Sequence, residues 1–555
     1  MLMTTHHHNA PIYWQGNRGD FADNPGAILE TIYQVSQPLY VVTAKGRPTV
    51  VNGGTILSGA QASEDPGHLP LKAIIPAFNI DAMGSTRFKR RYGIKFAYIV
   101  GAMANGITSV QMVAAAAKAG FLGFFGAAGL TIDEVAHAID QIRHSVGSRP
   151  FGSNLIHSPN EPELESALVR LYLEKSVHCV SASAYLNLTL PLVYYRIKGI
   201  HRNGDGVAVC PNKVIAKVSR IEVARRFLSP PPENLVAALV ERNLISADEA
   251  QLSREILMAD DLTAEADSGG HTDNRPAMTL LPTMMALRDE MARKHALDHP
   301  PGIGLAGGIA TPAAVAGAFA MGADWVLTGS INQACVEAGT SQTVRDMLMQ
   351  ARQGDVIMAP SADMFEMGVK VQVLKRGTMF PLRAQKLYDL YQQYEGYEQI
   401  PAPLRSTIEK DLFRQDYEAE WLATKAFFQR RDPRQIDRAE NDPKYKMALV
   451  FRAYLGKASG WANSGDPSRV IDYQIWCGPA MGAFNEWARN SFLEQGARRN
   501  IVDVAANLLF GAAVTARVHW LKAQGVNLPA TTQCYAPQAL DKIERCCGLT
   551  FSAEV

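Results

Sequence analysis

An excess of charge of one sign is what this sequence lacks most clearly. Its 55 basic residues balance 54 acidic ones, leaving a formal net charge of +1. A broad nucleic-acid surface needs a basic excess, so that class is excluded. Short basic clusters stand at Arg87–Arg91, Arg430-Arg431 and Arg498-Arg499, and each reads first as a solvated helix face. Cysteine is sparse: seven residues, at 179, 210, 335, 477, 534, 546 and 547, with no C-x-x-C pair. The spacings of a zinc or iron–sulfur site are therefore missing. With no secretory leader read at the start, reduced thiols in a cytoplasmic protein are expected. No run of about 20 apolar residues is read, so no membrane span is expected. His6-His7-His8 is too short to count as a metal site. Internal repeats and low-complexity tracts are lacking too.

What is there is a long, ordinary globular composition: 555 residues, 47% hydrophobic and 20% charged. That length exceeds one core and implies two or three domains. Leu39–Thr43 and Pro48–Asn52 are β-rich runs joined by Lys45-Gly46-Arg47, which reads as a hairpin. Residues 1–93 are taken as an N-terminal β-rich cap. From Lys95 the pattern becomes strand–helix alternation. Buried-strand runs begin near Lys95, Phe121, Phe151, His178, Lys213, Leu262, Gly302 and Asp324. Thr108-Ser109 and Thr131-Ile-Asp-Glu134 supply helix starts, the second as a capping box. Eight such units have the size of a (β/α)8 TIM barrel, placed at 94–355; a doubly wound sheet is the alternative from alternation alone. A helical insert is read at about 227–260. Residues 356–555 read as a helical region, a candidate substrate-binding lid. Within it Trp461, Trp476 and Trp487 are either core or the lining of an acyl pocket, and Trp476-Cys-Gly-Pro479 reads as a turn between helices.

Barrel chemistry sits at the C-terminal ends of the strands. Those ends carry Gly101-Ala102-Met103, Asn154, Lys217, Ser268-Gly269-Gly270-His271, Ala306-Gly307-Gly308 and Gly329-Ser330. Glycines admit a flat ligand close to the backbone, and a histidine beside them can trade a proton near neutral pH. Gly302-Ile-Gly-Leu-Ala-Gly307 spells G-x-G-x-x-G, but His299-Pro300-Pro301 before it is no strand, so the dinucleotide reading is rejected. Bare glycines after strands seven and eight fit a phosphate instead. Lys217 in a barrel mouth faces either a ligand or a carboxylate such as Glu265.

Several longer strings carry a resemblance. Glu265-Ala-Asp-Ser-Gly-Gly-His-Thr-Asp-Asn-Arg-Pro276, Gly101-Ala-Met-Ala-Asn-Gly-Ile107 and Asn154-Leu-Ile-His-Ser-Pro159 resemble the PfaD family. So do Thr328-Gly-Ser-Ile-Asn-Gln333, Ala362-Asp-Met-Phe-Glu-Met-Gly368 and Asp472-Tyr-Gln-Ile-Trp-Cys-Gly-Pro-Ala-Met-Gly482. That family comprises free-standing enoyl reductases of polyunsaturated fatty acid and trans-acyltransferase polyketide synthases, within the nitronate monooxygenase-like FMN barrels. The resemblance implies FMN in the barrel mouth: Gly101, Ala102, Met103 and Gly270 beside the ring, Asn154 and Lys217 on its polar edge, Ser268 and Gly269 in the signature. Ala306, Gly307, Gly308, Gly329 and Ser330 would hold the phosphate, and His271 matches the active-site histidine.

The implied reaction is reduction of an enoyl thioester on an acyl carrier protein, with NADPH or NADH as hydride donor. His271 is the candidate acid, a role Asp273 or water could share. The basic clusters are candidates for carrier docking, and a homodimer is compatible with the resemblance. The rivals are a nitronate-type FMN oxidase, with His271 as base, and a non-catalytic flavin-binding synthase subunit.

Overall fold

The computed structural model describes residues 12–17, 21–22, 24–58, 67–157 and 161–551, apart from the side chain of Arg430. His6-His7-His8 and the Ser158-Pro159 end of one resemblance string lie outside the described residues. The chain divides into two compact units: residues 1–83, 311–320 and 503–555 in one, and 84–310 with 321–502 in the other. By compactness, then, 84–93 pack with the barrel and not with the cap, and 503–555 pack with the N-terminal segment.

The first unit holds a five-stranded sheet in the order Arg47–Val51, Leu39–Ala44, Leu69–Ile75, Ile12–Gln15, Thr55–Ser58. The expected hairpin is present, with Tyr40 opposite Val51 and Ala44 opposite Arg47. Trp14, Val42 and Val51 form a small core on it. All but the first two residues of the helix Ile501–Ala523 belong to this unit. That helix is long and apolar enough to cross a membrane by length and composition, but 78% of its apolar window is buried in protein. Its Phe510 packs in an aromatic cluster with Tyr33 and Tyr535. Arg517, fully buried, donates to the carbonyls of Ile32, Gln34, Val35, Gln37 and Pro76.

The second unit is built on a closed barrel of eight parallel strands. In chain order they are β1 (Tyr98–Val100), β2 (Leu122–Phe125), β3 (Gly152–Ile156), β4 (Cys179–Ser183), β5 (Lys213–Val218), β6 (Asp261–Glu265), β7 (Gly302–Ala306) and β8 (Val326–Thr328). β8 closes onto β1, Val326 opposite Tyr98, and the Tyr98 hydroxyl lies 2.7 Å from Thr328 Oγ1 across the seam. Nearly all strand residues are buried, polar ones in Gly152–Ile156, Cys179–Ser183 and Asp261–Glu265 included, because helices cover the outside and side chains fill the inside. Gly302 and Gly304 lie within β7, and a Cβ on Gly304 would strike the Trp325 indole at 2.1 Å. Their glycines serve packing, consistent with the rejected dinucleotide motif. The capping box forms as read, with Thr131 and Glu134 each accepting the other's backbone N–H. The insert supplies the helices Glu233–Glu241 and Ala247–Leu252.

The region after 355 is not purely helical. Val356–Pro360 and Lys370–Leu374 pair antiparallel, and the second strand pairs with Gly270–His271 to make a three-stranded sheet. Alternating apolar residues in Lys370-Val-Gln-Val-Leu374 are the strand signal that the surrounding helical pattern obscured. Beyond them, helices including Phe380–Gln393, Tyr417–Arg431 and Pro443–Ser464 enclose a core containing Phe365, Leu387, Phe451 and Tyr454.

Candidate active site

The C-terminal ends of the barrel strands open into a cavity of about 1070 Å³. All of the residues singled out from the sequence line it: Gly101, Ala102 and Met103 after β1, Asn154 on β3, Lys217 on β5, Ser268 to His271 after β6, Ala306, Gly307 and Gly308 at the end of β7, and Gly329 and Ser330 after β8. The opposite wall comes from the helical region, with Ala423, Phe427 and Phe428 on one helix and Gly456, Lys457 and Gly460 on another.

The glycines do two different jobs. Gly307 has φ +83°, and a Cβ there would meet the Ala266 carbonyl carbon at 2.5 Å, so it lets two strand ends touch. Gly308, at φ +73°, has nothing within 4 Å of a Cβ position, nor does Gly329. Those two leave open cradles beside bare backbone N–H groups, as an anion site requires. Gly269 and Gly478 are packing glycines. A Cβ on Gly269 would meet the Cys477 backbone at 2.9–3.0 Å, and one on Gly478 would meet Gly269 N at 2.8 Å. The Gly478 N–H also donates to Ser330 Oγ at 3.1 Å. The backbone of Cys477 and Gly478 therefore lies against the His271 loop, with Trp476 bridged to Val373. The segment read as a turn does join two helical elements, Pro467–Asp472 and Ala480–Ala488, and it also seats the site.

Around the ring nitrogens the chemistry is specific. His271 Nε2 lies 3.2 Å from Asp363 Oδ1. Burial pulls the imidazole pKa down, but the hydrogen bond and charge of Asp363, helped by Glu265, outweigh it and hold it above the ordinary value. Burial pushes Asp363 up, and the His271 bond and charge more than reverse that. Each member of the pair thus favours the charged form of the other. Asp273 is excluded as the alternative acid. Hydrogen bonds from Arg220, at 2.8 and 2.9 Å, and from Ser219 hold it down to about 2, so it is ionised at neutral pH. Lys217 Nζ sits 2.7 Å from Glu265 Oε1, so the carboxylate partner weighed from the sequence is present, and both still line the cavity. Asn154 Oδ1 accepts from the N–H groups of Ala127 and Ala128 at 2.8 and 3.3 Å, which fixes the loop after β2. Gln372 clamps the histidine loop, donating to Asp267 Oδ1 at 2.8 Å and to the Ser268 carbonyl at 2.7 Å.

The model of the nitronate monooxygenase family matches residues 86–382. The chain belongs to that family. Within it the chain is PfaD-like. It is 45% identical over 435 residues to the polyketide biosynthesis protein PksE of Bacillus subtilis, covering 78% of this chain and 56% of that one. It is 43% identical over 458 residues to a subunit of the polyunsaturated fatty acid synthase of Thraustochytrium, covering 81% of this chain and 30% of that one. The chain thus spans about half of one curated relative and under a third of the other. The crystal structure of the enoyl reductase domain of MlnA from Bacillus amyloliquefaciens superposes with a TM-score of 0.75 at 38% identity, over 80% of this chain and 99% of that one. Residues 394–473 also match the inserted helical domain of acyl-carrier-protein S-malonyltransferase.

Sequence reasoning misses three features in and around this cavity. Asp363 lies within the Ala362–Gly368 motif, and its separation of 92 residues from His271 hides the contact in the sequence. Gln372 gave no signal. The cavity wall at 423–460 looked like ordinary amphipathic helix. Of the three tryptophans, Trp476 lines the cavity, whereas Trp461 packs on the helical core and Trp487 sits edge-on to Phe484. The basic clusters are solvated only in part: Arg90 and Arg498 are exposed, but one arginine of each cluster is engaged. Arg91 pairs with Asp261 at 2.7 Å, Arg499 is buried, and Arg431 pairs with Glu161.

Proposed function

We propose that the chain is an FMN-dependent enoyl reductase, reducing the α,β double bond of enoyl thioesters presented by an acyl carrier protein, with NADPH or NADH as reductant. One observation carries this reading: a histidine bonded to a carboxylate, open glycine cradles and a wall bearing Ala423, Phe427 and Phe428 share a single cavity. At about 1070 Å³ it is at the upper end of the range for small-molecule sites, which suits a cofactor plus a substrate.

The residues present fit FMN. Gly308 and Gly329 leave space where a phosphate would sit, with Ser330 beside them. Lys217 and Asn154 supply polar groups for the ring edge, and Gly270, at φ +78°, brings bare backbone to the ring face. The chemistry a bound FMN supplies is hydride transfer from nicotinamide to the β-carbon. Lys217 would stabilise negative charge on the reduced ring. Trp476 and the apolar wall exclude water and align the thioester, so that a reaction between two bound partners becomes effectively intramolecular. His271 would protonate the α-carbon, a contribution of about 10²–10⁴ in rate. The hydrogen bond and charge of Asp363 favour the protonated form of His271, which suits an acid better than the base of a nitronate-type oxidase.

The test is direct. Purified protein is expected to be yellow, to bleach anaerobically with NADPH or NADH, and to recover colour on adding a crotonyl thioester on carrier protein. Protein that binds no flavin would sink the proposal.

A further inference from the structure

One nitrogen of His271 is committed and the other is not. Nε2 bonds Asp363 at 3.2 Å, while Nδ1 has no hydrogen-bond partner among the described residues. The side chain is 31% exposed and lines the cavity. Asp363 is itself held in place. It sits in the connection between Val356–Pro360 and Lys370–Leu374, and the second of these strands pairs with Gly270–His271, His271 opposite Val371. Donor and partner thus ride on one small sheet. Arg452 anchors the connection, with Nε donating to the Ala362 carbonyl at 2.9 Å and a second nitrogen to Glu366 at 3.1 Å. The proton on one imidazole nitrogen is decided by the bond the other makes. A carboxylate against Nε2 keeps a hydrogen there in both charge states, so the proton that comes and goes is on Nδ1.

We propose that His271 gives its proton to the substrate α-carbon from Nδ1, and that Asp363 is the positioning residue that enforces this. The inference rests on the enoyl-reductase reading. In the step, hydride originating from the reduced nicotinamide forms the new C–H bond at the β-carbon. The π pair of the double bond takes the Nδ1 proton at the α-carbon. His271 passes from imidazolium to the neutral Nε2–H form, Asp363 stays a carboxylate, and solvent restores the proton. Other charged groups bear on the ring: Glu265 at the end of β6 favours the cation, and Lys217 at the end of β5 opposes it. Asp267, Asp273 and Lys370 line the same cavity, with Asp273 tied to Arg220.

The experiment is a pH titration of ¹⁵N-histidine-labelled, as-purified protein by NMR, for the wild type and Asp363→Asn. The wild type should lose its proton from Nδ1, leave the Nε2–H tautomer, and titrate above the ordinary histidine value. Asp363→Asn should lose the tautomer preference and titrate lower. In parallel, the ratio of enoyl-thioester reduction to NAD(P)H oxidation by an artificial acceptor should fall about 10- to 100-fold, a part of the full acid contribution. Asp363→Glu should recover some of it. A wild-type Nδ1–H tautomer, or an Asp363→Asn variant unmoved in both tautomer and ratio, overturns the proposal. If the wild type reduces no enoyl thioester, the functional reading fails, and the NMR still decides the tautomer.

Discussion

Gly456 and Gly460 allow a prediction with opposite signs for stability and turnover. Both lie inside the helix Pro443–Ser464 and line the cavity, and nothing lies within 4 Å of a Cβ built on either. Glycine inside a helix is about 0.8–1.0 kcal/mol less favourable than alanine, so the two together cost about 2 kcal/mol. No neighbouring side chain uses the room they leave. A ligand lying along the helix is the remaining use. Alanine at both positions should therefore raise the melting temperature of the ligand-free protein. Leucine at Gly460 should put an isobutyl group where a long acyl chain would lie. Excluding two or three methylenes at about 0.8 kcal/mol each loses about 1.6–2.4 kcal/mol, or roughly 15- to 60-fold in kcat/KM. A crotonyl thioester, too short to reach, should keep its rate. The assay is steady-state NAD(P)H oxidation with short and long enoyl carriers, beside calorimetry of the ligand-free variants. A destabilised double alanine variant would show that the glycines serve the fold. Unchanged long-chain kinetics in the leucine variant would show that the acyl chain runs elsewhere.

Two further outcomes are expected. Asp273 is depressed to about 2 in the folded protein, chiefly by its hydrogen bond from Arg220. A depressed carboxylate contributes stability that is present above its unfolded value near 3.9 and lost as pH falls through about 2, so melting temperature against pH should drop in that window and flatten in Asp273→Asn. Arg517 is buried with its guanidinium pulled down to about 10, still charged at neutral pH, and it satisfies several backbone carbonyls at once. Arg517→Ala should destabilise the unit containing the N-terminal sheet by at least about 3 kcal/mol, read by hydrogen exchange of that unit.

Much of the scaffold is legible in the residues taken alone. The barrel follows from eight apolar runs alternating with capped helices, because strand and helix periodicities and breaker residues are local signals. The glycine-rich strand ends follow too, since a barrel places every such end at one mouth. Thus Gly307, Gly308, Gly329 and His271 could be grouped from the order of the strands alone. What the sequence by itself could not determine is pairing between distant segments. Asp363 reaches His271, Cys477 lies on Gly269, and Arg91 spends its charge on Asp261, each across a long stretch of chain. Local composition makes Arg91 look solvated and Ile501–Ala523 look like a long apolar rod. Only the packed chain shows that the arginine has a buried partner and that the helix lies mostly inside protein. The physical reason is the same throughout: a charge, an apolar face or a ring nitrogen takes its meaning from what desolvates it and what bonds it, and those neighbours are chosen by the tertiary fold.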